Sequence, residues 1–290
     1  MIWTLAVRNV MRNRRRSVIT VLSIAVGLAA LTFLWGFIDG MNRQMINNTT
    51  RYFAADAQVH LKGYHDDPSL DRAIEAGARV LEAVRGDPSV AAATVRLETT
   101  VLASRADRSR GILAFGVDPA QEARVTDLFK AVVDGRGFSG ADDTGVLIGE
   151  GMAEALALRA GDDLVLVGQA YDGSVASARV PVRGVFRTKI DDLDGYVAVM
   201  PMSAMRDFLA APEVVTAVAL RLRDRAALGA AVASLSARVG ADHEVVGWPV
   251  LLPMVAISIR FHEVMGFVVL TIFFVMIAAG VANPVLMAVL

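Results

Sequence analysis

The chain contains no cysteine and only four histidines among its 290 residues. Without cysteine there is no disulfide framework, no cysteine-ligated zinc site and no thiol nucleophile. Aromatic residues make up 7% of the chain, whereas apolar residues make up 54% and the mean hydropathy is +0.48. That hydropathy exceeds what soluble globular chains usually show. The composition therefore excludes a disulfide-stabilised domain and favours a membrane protein.

Negative charge is missing from both ends of the chain. All 30 acidic residues lie between Asp39 and Glu263, and five of the 29 basic residues lie before Ser17. The middle of the chain therefore has 24 basic against 30 acidic side chains, although the formal net charge is only -1. A basic stretch without any nucleic-acid reading module does not indicate a nucleic-acid partner, and we expect none.

Two long stretches contain no charged residue at all. Residues 17–38 would form a helix of roughly 33 Å, enough to cross a hydrocarbon core of about 30 Å. Residues 264–290 form the second stretch, in which Asn283 is the one strongly polar residue. The alternative is a buried core helix, but both stretches exceed the length of about 18 residues that marks a spanning candidate. The sequence predicts two transmembrane helices.

The basic residues before the first span predict its orientation, because Lys and Arg beside a span stay on the cytoplasmic side. These membrane-interface and topology residues are Arg8, Arg12, Arg14, Arg15 and Arg16. A cleaved signal peptide is the alternative, but its apolar core would be shorter and an A-x-A-like site would follow. Residues 39–263 are therefore predicted to be extracytoplasmic.

Residues 1–16 also have a helical pattern. Thr4, Arg8 and Arg12 recur on one face, and apolar residues share the other face. This pattern predicts an interfacial amphipathic helix, with a frayed cytoplasmic tail as the alternative.

The extracytoplasmic segment alternates between strand and helix patterns. Predicted strands cover residues 57–61, 90–104, 111–117, 146–148, 164–167, 178–186, 196–200, 214–222 and 244–246. Predicted helices cover residues 71–85, 150–158, 202–210 and 225–239, and helical character persists through residues 39–53. The expected fold class is a membrane protein in which two transmembrane α-helices flank an extracytoplasmic α+β domain.

The order of predicted strands and helices also predicts domain boundaries. Two strand–helix–strand units flank a strand-rich stretch, which we interpret as an insertion into one α+β subdomain. The predicted segments are an amphipathic helix (1–16), the first span (17–38), a stalk (39–55), the α+β subdomain (56–117 and 213–247), the β-rich insertion (118–212), a connector (248–263) and the second span (264–290).

No catalytic or nucleotide-binding motif is present in the sequence. Gly168 and Gly173 have the glycine spacing of a P-loop, but no Lys follows. Gly135-Arg136-Gly137 is predicted to be a turn, and Ser139 lacks the G-x-S-x-G context of a hydrolase nucleophile. We therefore expect no catalytic residue and no cofactor, and any ATP hydrolysis would belong to another chain.

Two clusters of ligand-type residues were weighed as metal sites. Asp191, Asp192 and Asp194 precede Gly195, but the Glu that completes an EF-hand loop is absent, so a solvated loop is predicted. A second cluster comprises His60, His65, Asp66 and Asp67, scattered near a predicted loop. No metal site is predicted.

A series of motifs recurs in an order that resembles a known family. The motifs are Leu5-Ala6-Val7-Arg8-Asn9-Val10-Met11-Arg12-Asn13-Arg14-Arg15-Arg16-Ser17, Gly116-Val117-Asp118-Pro119, Asp134-Gly135-Arg136, Gly145-Val146-Leu147-Ile148-Gly149-Glu150, Gly161-Asp162, Val182-Arg183-Gly184-Val185-Phe186 and the run from Ala282 to Leu290. Together they resemble the first half of FtsX-like/MacB-like ABC transporter permeases. The opening and the Gly-Val-Asp-Pro region are most similar to the LolC/LolE lipoprotein-release branch.

The resemblance implies a bacterial inner-membrane permease subunit with a porter-like subdomain and an inserted β-rich subdomain. Its implied partners are a cytoplasmic ABC ATPase dimer, a second permease subunit (identical or related), membrane lipid, and a lipoprotein or other periplasmic protein. The implied function is lipoprotein release or related envelope export by mechanical coupling. An FtsX-like scaffold that regulates cell-wall hydrolases and a two-span ligand sensor remain alternatives. The family pattern continues with two more spans, so we expect this chain to be the N-terminal part of such a permease, with a split gene that supplies the rest as the alternative.

Overall fold

The computed structural model describes residues 14–289. The helices are α1 (Arg14–Thr49), α2 (Gly77–Arg85), α3 (Pro119–Val125), α4 (Glu150–Leu156), α5 (Asp191–Tyr196), α6 (Met202–Leu209), α7 (Leu228–Val239), α8 (Trp248–Leu251) and α9 (Pro253–Val289). The strands are β1 (Ala57–Leu61), β2 (Val90–Arg105), β3 (Arg108–Val117), β4 (Val132–Gly135), β5 (Val146–Gly149), β6 (Asp163–Gln169), β7 (Val175–Phe186), β8 (Val197–Pro201), β9 (Ala217–Leu222) and β10 (His243–Gly247). A π-helical turn covers Thr50–Ala54, and short 3₁₀ turns cover Leu70–Arg72, Leu128–Ala131 and Arg225–Ala227.

The chain divides into two compact units. Among residues 14–289, those up to Ile46 and from Met254 onward form the membrane unit, and Asn47–Pro253 form the extracytoplasmic unit. The predicted amphipathic helix, with Arg8 and Arg12, lies almost entirely outside the described residues.

The membrane unit consists of two long apolar helices. The helical segments Val21–Ala54 and Pro253–Ala279 each contain an apolar window long enough to cross a membrane, with mean hydropathies of 2.2 and 2.1. These windows are only 0% and 6% buried, so the helices are not the enclosed core helices of a soluble fold. The prediction of two transmembrane helices that flank an extracytoplasmic domain is confirmed. Both helices are longer than the predicted spans, because α1 continues to Thr49 and α9 begins at Pro253.

Small and polar residues lie where the two helices of the membrane unit meet. A Cβ added to Gly27 would lie 2.5 Å from Ile277, and one added to Gly266 would lie 2.9 Å from Ile38. His262 Nδ1 lies 3.1 Å from the buried Asn42 Oδ1. Glycines permit this close approach, and a polar contact between apolar helices fixes their register.

The extracytoplasmic unit is built on one ten-stranded sheet. Its strand order is β10-β1-β9-β2-β3-β8-β5-β7-β4, and β6 pairs with both β2 and β7. The pairings β2–β3, β3–β8, β8–β5, β5–β7, β7–β6 and β6–β2 therefore close a circuit of six strands, whereas β9, β1 and β10 extend from β2 as an open sheet. Strand β2 belongs to both parts, because its first half pairs with β9 and its last residues pair with β6.

Two predicted elements of the extracytoplasmic unit differ from the structure in kind or by more than three residues at one end. The helix predicted over residues 71–85 begins only at Gly77, because Ile74 forms a β-bridge with Val215 and cannot also be helical. The loop predicted over residues 191–195 is wrong, since α5 occupies it. The carboxylate of Asp194 accepts hydrogen bonds from the backbone N–H groups of Thr188 and Lys189, and these bonds order the segment.

Candidate functional site: the anchoring region of residues 47–56

The anchoring region, residues 47–56, connects α1 to the first strand of the sheet. The α-helix ends at Thr49 and widens into the π-helical turn Thr50–Ala54. Ala55 then turns the chain with φ 57°, a left-handed conformation that is unusual for a residue other than glycine. A strained turn of this kind persists only where the surrounding contacts hold it.

Asp56 is the residue through which the anchoring region enters the sheet. Its side chain is almost fully buried, and its Oδ2 accepts a hydrogen bond of 2.8 Å from the backbone N–H of Leu222. Arg225 pairs with the other carboxylate oxygen and also donates to the side-chain oxygen of Asn47. The Arg225 guanidinium therefore connects the two ends of the anchoring region.

The backbone of Asp56 also reaches the segment that leads to the second span. Its N–H donates to the Leu220 carbonyl at 2.9 Å, and its carbonyl accepts from the Trp248 N–H at 3.0 Å. The next residue, Ala57, pairs with Gly247, the last residue of β10. The two connections out of this domain consequently leave the sheet side by side and are hydrogen-bonded to each other.

Arg96 binds the π-helical turn through a backbone carbonyl and is itself paired with Glu122. Its guanidinium is 2% exposed and donates to both carboxylate oxygens of Glu122, at 3.1 and 2.6 Å. Its Nη1 donates to the carbonyl of Phe53 at 2.7 Å. Burial alone would lower the pKa of Arg96, but the charge of Glu122 and its hydrogen bonds outweigh burial, so the pKa is raised. Arg96 therefore stays charged.

Aromatic packing and a third ion pair complete the anchoring region. The rings of Phe53 and Phe115 meet edge to face, with their centroids 4.8 Å apart. Arg51 pairs with Asp127, and the Asp127 N–H donates to the Arg51 carbonyl at 2.8 Å. Burial raises the pKa of Asp127, but the hydrogen bonds from Lys130 and Arg51 lower it by more than burial raises it. The net shift of the pKa is downward. The carboxylate is charged at neutral pH.

No local sequence pattern predicts this set of residues as a site. One signal was present, because Asp118 followed by Pro119 is an N-cap and a first-turn proline. Asp118 Oδ1 does accept from the Ala120 and Gln121 N–H groups, and the resulting helix α3 carries Glu122 to Arg96. The pairing itself joins residues far apart in sequence and has no local pattern.

The structure does not gather the predicted topology arginines into a site. Arg14 and Arg15 lie exposed in the first turn of α1, and Arg16 follows them in the helix. Arg8 and Arg12 lie outside the described residues.

The other motifs weighed in the sequence have structural partners. Ser139 donates to Asp143 at 2.8 Å, and Asp143 also pairs with Arg183 and accepts from the Gly145 N–H. Gly168 and Gly173 belong to the β6–β7 hairpin and its tip, and Gly135 ends β4 with φ 74°.

Two of the ligand-type residues near β1 make contacts other than with a metal. His60 is buried in the sheet with its Nδ1 2.9 Å from the Thr216 carbonyl oxygen, and burial lowers its pKa to about 4. The N–H of His65 instead donates to Glu244. Within residues 14–289, no three His, Cys, Asp or Glu side chains come together as metal ligands would.

Two spans around a mixed α/β extracytoplasmic domain define the chain as a protein of the bacterial cytoplasmic membrane with a large external domain. The chain belongs to the family of the MacB-like periplasmic core domain, whose model matches residues 17–238. The predicted membership of the FtsX-like/MacB-like ABC transporter family is confirmed. The chain is therefore a permease-type component of an ABC transporter, a class that is generally non-catalytic and partners with an ATPase.

Two solved structures are similar to the external domain. The extracellular domain of the noncanonic ABC-type transporter YknZ from Gram-positive bacteria is 16% identical, with a TM-score of 0.46, and the match covers 67% of this chain and all of that one. The periplasmic region of MacB from Actinobacillus actinomycetemcomitans is 12% identical, with a TM-score of 0.47, and the match covers 71% of this chain and 94% of that one.

Proposed function

We propose that the chain is the permease subunit of a mechanically coupled ABC transporter that acts in lipoprotein release or a related envelope export process. ATP would be hydrolysed by a dimer of a separate cytoplasmic ATPase. A second permease subunit, identical or related, would pair with this one in the lipid bilayer. The external domain would then move its substrate at the outer face of the membrane.

The anchoring region is the observation that carries this proposal. A mechanical device needs a stiff connection between the moving helix and the external domain. Residues 47–56 are fastened through Asp56, Arg96 and Asp127, and the acidic partner is buried in all three ion pairs. A displacement of the π-helical turn would therefore be transmitted to the sheet and not absorbed by a loose linker.

We further propose roles for the segments predicted from the sequence. Residues 56–117 and 213–247 would act as the porter-like subdomain and residues 118–212 as its insertion. The two would be joined where β2 pairs with β6 and β3 pairs with β8. Arg8, Arg12, Arg14, Arg15 and Arg16 would hold the N-terminus at anionic lipid on the cytoplasmic face.

The test is affinity purification of the protein from its native membrane, followed by depletion of the protein in cells. We expect an ABC ATPase to co-purify, and lipid-anchored proteins to accumulate in the cytoplasmic membrane after depletion. If depleted cells kept a normal distribution of lipoproteins but failed to separate after division, the FtsX-like scaffold would be favoured instead. The absence of any co-purifying ATPase would contradict the permease proposal itself.

A further inference from the structure

The edge of β2 is open in the middle of the sheet. On this edge β2 pairs with β9 as far as Arg96, and β6 begins to pair only at Leu102. The intervening residues 97–101 are paired on their other edge with β3 but have no strand on this one. The gap lies where β2 passes from the open sheet into the closed circuit of strands.

The backbone groups that point into this gap follow from the alternation of a β-strand. The Arg96 carbonyl accepts from the Thr216 N–H, and the Glu98 N–H donates to Thr216 Oγ1, both at 2.8 Å. Even-numbered residues therefore face this edge. The carbonyl of Glu98 and both backbone groups of Thr100 face the gap, where no described strand pairs with them.

A cavity of about 260 Å³ lies at the gap. Its volume lies just below the range of about 300–1,000 Å³ for ligand pockets, so it suits a short segment rather than a large ligand. We call it the β2 notch. Its lining includes Tyr64, Leu70, Glu98, Thr100, Gln169 and Tyr171.

The walls of the β2 notch are held in place by contacts outside it. The ring of Tyr64 is stacked on the ring of His60, with centroids 4.8 Å apart and planes 11° apart. On the opposite side, the Tyr171 N–H donates to the Leu209 carbonyl at 2.8 Å, which fastens the tip of the β6–β7 hairpin to α6. A preformed notch lowers the entropy cost of binding.

Charge indicates which ligand the notch accepts. Glu98 and Asp71 are the charged residues of its described lining, which includes no Lys or Arg. Glu98 Oε1 is buried and accepts no hydrogen bond from the described residues. Arg96 Nη1 lies 4.0 Å from that oxygen, but Arg96 is already neutralised by Glu122. An anion is disfavoured here, and a group that donates hydrogen bonds and carries positive charge would satisfy the free oxygen.

We propose that the β2 notch binds a short extended segment of a partner polypeptide that carries a Lys or Arg residue. The segment adds a strand to the open edge of β2 and places its basic side chain against Glu98. Main-chain bonds to Glu98 and Thr100 supply affinity, and the charged pair supplies specificity. This inference goes beyond the transport proposal and does not depend on it.

The experiment uses the full chain in lipid nanodiscs and fluorescent pentapeptide libraries at about pH 8, where Glu98 is mostly ionised. The central residue is fixed as Lys, norleucine or Glu, and the other positions are drawn from Val, Thr, Ser and Ala. We expect the Lys library to bind about tenfold more tightly than the norleucine library, the effect of one charge-assisted hydrogen bond. Methylation of alternate backbone nitrogens in the best Lys peptide should abolish binding, because it removes the donors that face β2.

The variant Glu98→Gln should remove the preference for Lys over norleucine, and the exposed Glu154→Gln, outside the notch, should leave it unchanged. Four results would each overturn the proposal. They are no binding by any Lys library, equal binding of free lysine amide and the best peptide, no effect of backbone methylation, and an undiminished Lys preference in Glu98→Gln.

Discussion

Arg96 Nη2 lies 2.6 Å from Glu122 Oε1, and each side chain is only 2% exposed. The same guanidinium donates to the Phe53 carbonyl in the π-helical turn at 2.7 Å. A buried ion pair contributes little net stability over well-packed apolar residues, because both charges must leave water. Its placement on the anchoring region indicates that its role is to fix the position of this turn.

Removal of one partner of this pair should be far more harmful than removal of both. Glu122→Ala leaves the buried guanidinium unpaired and should lower the free energy of unfolding by about 3–5 kcal/mol. Arg96→Met combined with Glu122→Leu should recover most of that loss. Thermal unfolding of the full chain in detergent, monitored by near-ultraviolet circular dichroism, measures the stability of the single and the double variant. If the double variant were as unstable as Glu122→Ala, the pair would be needed for folding itself.

Asp56→Asn should weaken the attachment of the anchoring region to the sheet. The amide oxygen can still accept from the Leu222 N–H, but the charge that pairs with Arg225 is lost. We expect a loss of about 1.5–3 kcal/mol, the range for hydrogen bonds to charged groups. The same unfolding measurement applies, with the exposed Asp142→Asn as the matched control. An equal loss in both variants would mean that Asp56 has no special role.

The stability of the domain should depend on pH through Glu98. Burial raises the pKa of Glu98 from 4.5 to about 7, Arg96 lowers it in part, and Glu122 raises it again. Because the folded state holds the proton more tightly, this residue's contribution to stability is fully present below about pH 4.5 and is lost as the pH rises to about 7. Glu98→Gln abolishes that loss.

The advantage of Glu98→Gln over the native chain should therefore grow between about pH 5 and about pH 8, to at most about 3 kcal/mol. Unfolding midpoints of both proteins across this pH range measure the difference, with Glu154→Gln as the control for a lost charge. A difference that does not change with pH would show that Glu98 is not a strained carboxylate in the folded state.

Gly149 is required by its surroundings and not by its backbone conformation. Its φ is -74°, which any residue adopts, but a Cβ would lie 2.3 Å from the Asp194 carbonyl oxygen. Gly149→Ala should therefore force β5 and α5 apart and cost about 1–3 kcal/mol, as overpacking does. Gly140→Ala meets no atom within 4 Å and serves as the control. Equal unfolding midpoints for the two variants would contradict the close packing at Asp194.

Local patterns predicted the elements whose formation depends on local sequence. The first strand occupies residues 57–61 as expected, and both charge-free runs are helical. The closed circuit of six strands was not predictable, because pairings such as Leu102 with Val167 join distant strands whose register depends on the whole fold. The prediction of a solvated loop over residues 191–195 was wrong because it depended on the carboxylates being exposed. Asp194 is buried and accepts a hydrogen bond from Thr188.

The candidate site was the least predictable part of the structure. Arg96 sits in an apolar strand, and nothing in its neighbours along the chain identifies Glu122 or the Phe53 carbonyl as its partners. The arginines before the first span, in contrast, could be predicted as topology residues because a local excess of positive charge is apparent from the sequence alone.

The proposed role of the anchoring region is to transmit motion from an ATPase to the external domain. The chain has no cysteine, so Val175→Cys, at an exposed position, supplies a single spin-label site per subunit. The decisive measurement is the label-to-label distance between two subunits in nanodiscs with the ATPase, before and after ATP addition. We predict that ATP shifts this distance, and that Arg96→Met with Glu122→Leu abolishes the shift while ATP hydrolysis continues. An unchanged shift in that variant, or no shift in the native protein, would contradict the account.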